Sequence, residues 1–96
     1  MTDRRECVRL DVWLWRARFF KTRGLASRHV ESRGVRVDRS GAARRAQKPS
    51  AKVAPGDVLT FSVGPRIHVV EILALGHRRG PAVEAAALYQ ASDGGE

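Results

Sequence analysis

The chain has little of what most enzymes and most secreted proteins depend on. It has one cysteine, Cys7, in 96 residues. A lone thiol excludes an internal disulfide and fits a reducing cytosol. No apolar stretch approaches the ~20 residues a membrane-crossing helix needs. A secretory leader is not expected, because the apolar run after Arg4 and Arg5 is interrupted by Arg9 and Asp11. His29, His68 and His77 are scattered, with no metal-ligand spacing among themselves or to Cys7. A Gly-rich loop of the kind that cradles nucleotide phosphates is missing. Ser27 and His29, two residues apart on an expected helix, project in different directions, so no nucleophile–base pair is offered. The expectation is a non-catalytic protein with no cofactor and no metal.

Acidic residues are also scarce, above all in the first half. Residues 1–52 hold fifteen Arg and Lys against five Asp and Glu, and residues 53–96 hold three against five. The chain carries a formal charge of +8, concentrated at one end. Such one-sided charge is the electrostatic footprint of nucleic-acid binding. Fifteen of the eighteen basic residues are arginine, whose planar fork suits phosphate better than the point charge of lysine. The 43% hydrophobic content supports one folded unit rather than a disordered chain.

Leu10, Trp13, Leu14, Ala17 and Phe20 recur at helical spacing, which predicts a first helix over Val8–Phe20. Val12, Trp15 and Phe19 form a second apolar strip, so that helix is sandwiched or partly exposed to a partner. Thr22 reads as the N-cap of a second helix from Arg23 to about Arg33, with Leu25, Ala26, His29 and Val30 facing inward and Gly34 as its stop. Val35–Asp38 alternates as a strand, and Arg39-Ser40-Gly41 reads as a turn. Ala42–Gln47 is expected to be an exposed loop running into an irregular Lys48-Pro49-Ser50. After a Pro55-Gly56-Asp57 turn, Val58–Val63 and Ile67–Leu75 read as a hairpin, with a phase shift at Val69–Val70 that calls for a bulge or burial on both faces. Pro81 suits the first position of a C-terminal helix over Ala82–Gln90 that docks Leu88 and Tyr89. A frayed start and a charged tail from Ser92 complete the chain.

The basic residues converge on the turn between the first two helices. Lys21 and Arg23 flank it, and Thr22 and Arg23 stand at a helix N-terminus, where free N–H groups and the dipole favour an anion. Arg9 and Arg16, seven apart, share a helix face, Arg18 lies nearer Asp11, and Arg28 is on the outer side of the second helix. Asp11 is expected to orient a neighbouring arginine.

Taken in order, these pieces resemble a known module. Arg9-Leu10-Asp11, Thr22-Arg23, Gly34 to Val37, Lys48-Pro49-Ser50 and Gly56-Asp57 resemble the alpha-L RNA-binding domain, named after a small-subunit ribosomal protein. Asp11–Trp15, Arg18–Arg23 and Arg78–Tyr89 are similar to the small ribosome-associated heat-shock protein family. The resemblance implies RNA binding, association with the large ribosomal subunit, and recycling of stalled subunits that still carry a nascent chain on tRNA. It implies no catalysis. Two departures stand out. Asp38-Arg39-Ser40-Gly41 replaces the family's Asn-Gly turn, with a longer and more basic run to Lys48, and the family's charged C-terminal extension is not expected in a sequence that stops at Glu96.

The expected architecture is α+β: two N-terminal helices packed on a small, mostly antiparallel sheet, with a short C-terminal helix. Residues 8–75 are expected to form the RNA-binding domain and residues 76–96 a C-terminal loop, helix and tail. The expected RNA-binding residues are Arg9, Asp11, Arg18, Lys21, Thr22, Arg23, Arg28 and Lys48. The expected partner is structured RNA, ribosomal RNA of the large subunit or tRNA, bound by a cytoplasmic monomer with no membrane partner. One rival is the RNA-docking half of an RNA-modifying or tRNA enzyme. The other is a DNA-binding helix-turn-helix, although the second helix lacks the Asn and Gln that read adenine.

Overall fold

The computed structural model describes residues 6–92, so the expectations for the first residues and the end of the tail lie largely outside it. Ten short elements follow one another: β1 Val8–Arg9, α1 Leu10–Arg16, α2 Arg23–Arg33, β2 Val35–Arg39, β3 Ala42–Ala46, β4 Lys52–Val53, β5 Val58–Val63, β6 Arg66–Ile72, α3 Ala82–Ala86 and β7 Tyr89–Ala91. Five strands form an antiparallel sheet in the order β3-β2-β5-β6-β7, and β1 pairs with β4 in a separate ribbon. The α+β architecture is as the sequence predicts.

α1 is shorter than its periodicity suggests. At its start, Val8 and Arg9 are drawn into the ribbon opposite Val53 and Lys52. Its first N–H groups, at Leu10 and Asp11, donate to the carbonyls of Ala51 and Pro49 at 2.8 and 3.3 Å. At its end, Arg18 adopts a φ of +67°. The Phe19 N–H then bonds the Leu14 carbonyl and the Arg18 N–H bonds that of Trp15. That pair of bonds is a Schellman stop, with arginine where glycine is usual. Phe19 therefore leaves the helix and packs among Phe61, His68 and Tyr89, with ring centroids 5.0, 5.1 and 4.8 Å away. It does not form a partner-facing strip with Val12 and Trp15.

α2 runs over the expected residues. The Thr22 hydroxyl accepts the Leu25 N–H at 3.1 Å, and Gly34 ends the helix at a φ of +76°. Ala26 and Val30 are buried and His29 is partly buried against Phe20, but Leu25 is exposed rather than inward. Leu10, Trp13, Leu14, Val30, Val35, Val37, Val53, Leu59 and Ile72 make the fully buried centre between the helices and the sheet. Large apolar residues in such positions contribute about 1.5–3 kcal/mol each.

Two further sequence expectations are corrected, and the choice between a bulge and burial on both faces at Val69–Val70 is narrowed. Ala42–Ala46 is not a loop but the edge strand β3, in register with β2 from Val35↔Ala46 to Arg39↔Ala42. Ser40 and Gly41, at φ +53° and +84°, close that hairpin as a two-residue turn with both residues left-handed. The β5–β6 hairpin pairs without interruption from Val58↔Glu71 to Val63↔Arg66, so there is no bulge at Val69, which is half-buried on the outer face. The C-terminal helix stops at Ala86, with Pro81 as its N-cap, because Tyr89–Ala91 pairs with the open edge of β6. Leu88 is nonetheless buried, and Tyr89 packs on the core.

Candidate nucleic-acid interface

Asp11 is the centre of the candidate site. Its carboxylate is buried, 2% exposed, in the first turn of α1. The Leu10 and Asp11 N–H groups of that turn bond to the Ala51 and Pro49 carbonyls, and both carboxylate oxygens face side chains. Arg9 grips them with a fork: Nε to Oδ1 at 3.0 Å and Nη2 to Oδ2 at 3.1 Å. Arg23, from the first turn of α2, brings Nε to 3.8 Å from Oδ2. The hydrogen bond to Asp11, reinforced by its charge, raises the Arg9 pKa above its usual value. One buried anion therefore fixes two arginines whose outer surfaces remain in solvent, at 42% and 51% side-chain exposure.

Three of the remaining predicted residues, Lys21, Thr22 and Lys48, gather at this point or beside it. Thr22 and Lys21 stand exposed at the start of α2. The Ala51 N–H bonds the Lys48 carbonyl, closing the Lys48–Ala51 turn, and the Pro49 carbonyl of that turn holds Asp11 N–H. Lys48 is thereby anchored next to the start of α1. Arg28 is exposed on α2 but sits about 140° round the helix from Arg23. Arg18 does not join the cluster or approach Asp11 as expected. Its Nη1 donates to the Gly80 carbonyl at 2.8 Å.

Arg16, expected to share a face with Arg9, also turns away, and donates to the Leu75 and Gly76 carbonyls at 3.3 and 2.8 Å. Trp13 Nε1 donates to the Ala74 carbonyl, and Arg79 reaches back to the carbonyls of Trp15 and Phe20. Residues 74–80 thus clamp the corner that follows α1. The arginines of Gly76–Gly80 are engaged internally: Arg78 forks Glu84, and Arg79 caps α1.

Sequence reasoning missed a second buried carboxylate. Asp57 is 1% exposed and takes a fork from Arg39, Nε to Oδ1 at 2.9 Å and Nη2 to Oδ2 at 2.8 Å, as well as the Ala54 N–H. This bond raises the Arg39 pKa and ties the β2–β3 hairpin to the Pro55–Asp57 turn. Nothing local links residues 18 apart, so only the tertiary fold reveals the pair. Among the described residues no cluster of His, Cys, Asp and Glu could hold a metal ion, and no helix is long and apolar enough to cross a membrane.

Comparison with known proteins agrees with this arrangement. Residues 8–59 match the family model of the S4 domain. Heat shock protein 15 of Escherichia coli is 43% identical over 83 residues, covering 86% of this chain and 59% of that protein. A homolog in Haemophilus influenzae is 40% identical over 86 residues, covering 90% of this chain and 62% of its own. The chain thus spans less than two thirds of the length of these curated relatives. The solved structure of Vibrio cholerae heat shock protein 15, described as trimeric, is similar with a TM-score of 0.80 at 40% identity. That similarity covers 93% of this chain and 85% of the other.

Proposed function

We propose that this chain, which belongs to the heat shock protein 15 family and carries an S4 domain, binds structured RNA without catalysing a reaction. The observation that carries the reading is the buried Asp11 carboxylate holding Arg9 and Arg23 at the start of both helices. Arginines fixed in this way lose little further freedom when they meet a phosphate, and their planar forks suit its oxygens. Thr22 uses its hydroxyl oxygen as an acceptor for Leu25 N–H, which leaves the O–H free to donate outward. Lys21 and Lys48 add point charges beside the fork, and Arg28 extends the basic surface along α2. Arg18 acts by bracing the corner at Gly80 rather than by touching RNA. A surface of this kind reads backbone and shape more than base edges.

The RNA proposed is ribosomal RNA of the large subunit, with tRNA as a further partner, in a heat-shock role of recycling stalled subunits in the cytoplasm. Residues 8–75 are the binding unit, braced by the segment 74–80. Every proposed contact comes from one chain, so a monomer suffices for binding, although the Vibrio cholerae relative is described as a trimer. Sedimentation of the tagged protein with separated ribosomal subunits tests the function. Comigration with the large subunit is the expected result. Comigration with neither subunit, from a protein shown to be folded, contradicts it.

A further inference from the structure

We propose a second phosphate-binding groove on the outer face of the β2–β3–β5–β6 sheet, which holds another stretch of the phosphodiester backbone of the same RNA. The proposal rests on the reading that the chain binds RNA. The groove is open, about 590 Å³ in volume, and Arg33, Arg36, Arg45, Thr60 and Ile67 are among the residues that line it. Val35 and Val37 point into the core, so Arg36 between them faces outward, and Arg45 is its direct partner across the hairpin. Like charges facing each other across two strands destabilise a sheet. Elsewhere the fold neutralises arginines, pairing Arg9 with Asp11, Arg39 with Asp57 and Arg78 with Glu84. Among the described residues, none of the three groove arginines, Arg33, Arg36 and Arg45, has a carboxylate in ion-pair contact. An uncompensated cluster of three calls for an anion from outside.

The groove is also built to hold its shape. Arg45 donates to the Arg33 carbonyl at the end of α2, where the helix presents its negative pole. It crosses over Gly34, where a Cβ would lie 2.6 Å from Arg45 Nε. Ile67, 73% exposed, supplies an apolar wall. An isolated inorganic anion has no use for such a wall, whereas a ribose does. α2 connects the two sites, with Thr22 and Arg23 at one end and Arg33 at the other. Its 11 residues separate them by about 16 Å, within reach of one RNA.

The test compares the unmodified protein with an Arg33→Gln, Arg36→Ser double variant, leaving Arg45 in place because it closes α2. Each is titrated with a hairpin RNA taken from large-subunit ribosomal RNA at several salt concentrations, and melting is measured alongside. The double variant is expected to melt like the parent, to bind at least several-fold more weakly, and to show a log affinity–log salt slope shallower by about 1.5–2. In the parent, the side-chain Nε–H resonances of Arg33 and Arg36 are expected to shift on RNA addition. Unchanged affinity, slope and resonances, with Arg23→Ala still weakening binding, overturn the groove and leave the first site standing. A parent protein that binds no hairpin overturns both. Groove resonances that respond to polyglutamate but not to RNA overturn the RNA occupant.

Discussion

Asp11 separates an account based on net charge from one based on geometry. Replacing it with asparagine removes a negative charge from a basic surface, and bulk electrostatics alone then predicts tighter RNA binding. Here the carboxylate fixes Arg9 and Arg23 through contacts of 3.0, 3.1 and 3.8 Å. Asp11→Asn is therefore expected to weaken RNA binding several-fold despite the gained charge, as measured by fluorescence anisotropy on protein shown to be folded. Tighter binding would mean that the arginines need no organiser. His29 gives a second test at this scale. Burial, with the charge of Arg33 adding to it, lowers the imidazole pKa below 6.5, and its Nε2 is buried without a hydrogen-bond partner among the described residues. The unfolded chain therefore takes up a proton at higher pH than the folded one. Stability from this group is complete above about pH 6.5 and is lost as the pH falls below it, towards the lowered folded-state pKa. His29→Phe, which keeps a ring against Phe20, is expected to flatten that acid-side fall in melting temperature. The same fall in both proteins would exclude His29 as its source.

At the scale of elements, what was legible in the sequence is what local chemistry decides. α2 was readable to the residue because Thr22 caps it and Gly34 ends it, both acting within one turn. α1 was overextended because its limits are tertiary. β4 captures Arg9, and the left-handed Arg18 is held by a bond to Gly80, 62 residues away. β3 was hidden because Ala and Arg have weak strand propensity, and a charged edge strand looks like a loop. Tyr89 and Gln90 of β7 continue an alanine-rich run whose helix propensity gives way to the free edge of β6. In the candidate site, Thr22, Arg23 and Asp11 were readable from helix starts. That Arg9 rather than Arg18 partners Asp11 depends on where α1 begins and ends. Gly34 offers the element-scale test. Its φ of +76° and its closeness to Arg45 both exclude a Cβ. Gly34→Ala is expected to cost about 1–2 kcal/mol from the left-handed backbone alone, read as a reduced denaturation midpoint. An unchanged midpoint would show that the α2–β2 junction relaxes freely.

For the whole molecule, the decisive feature is the division of charge. Among the described residues, the basic side chains of both proposed surfaces come from residues 9–48, while Arg78 and Arg79 in the later half are spent on Glu84 and on the end of α1. The later half braces and the earlier half grips. The most direct test is the salt dependence of affinity for a folded ribosomal RNA fragment, measured for the parent, Arg23→Ala and Arg66→Ala. If the helix-start site engages about four to six phosphates, the parent slope of log affinity on log salt is near −3 to −5. Arg23→Ala should make it shallower by about 1 and cost about tenfold in affinity, as loss of a charge-assisted contact does, whereas Arg66→Ala should change neither. A parent affinity indifferent to salt, or equal losses in the two variants with folding intact, would contradict the account.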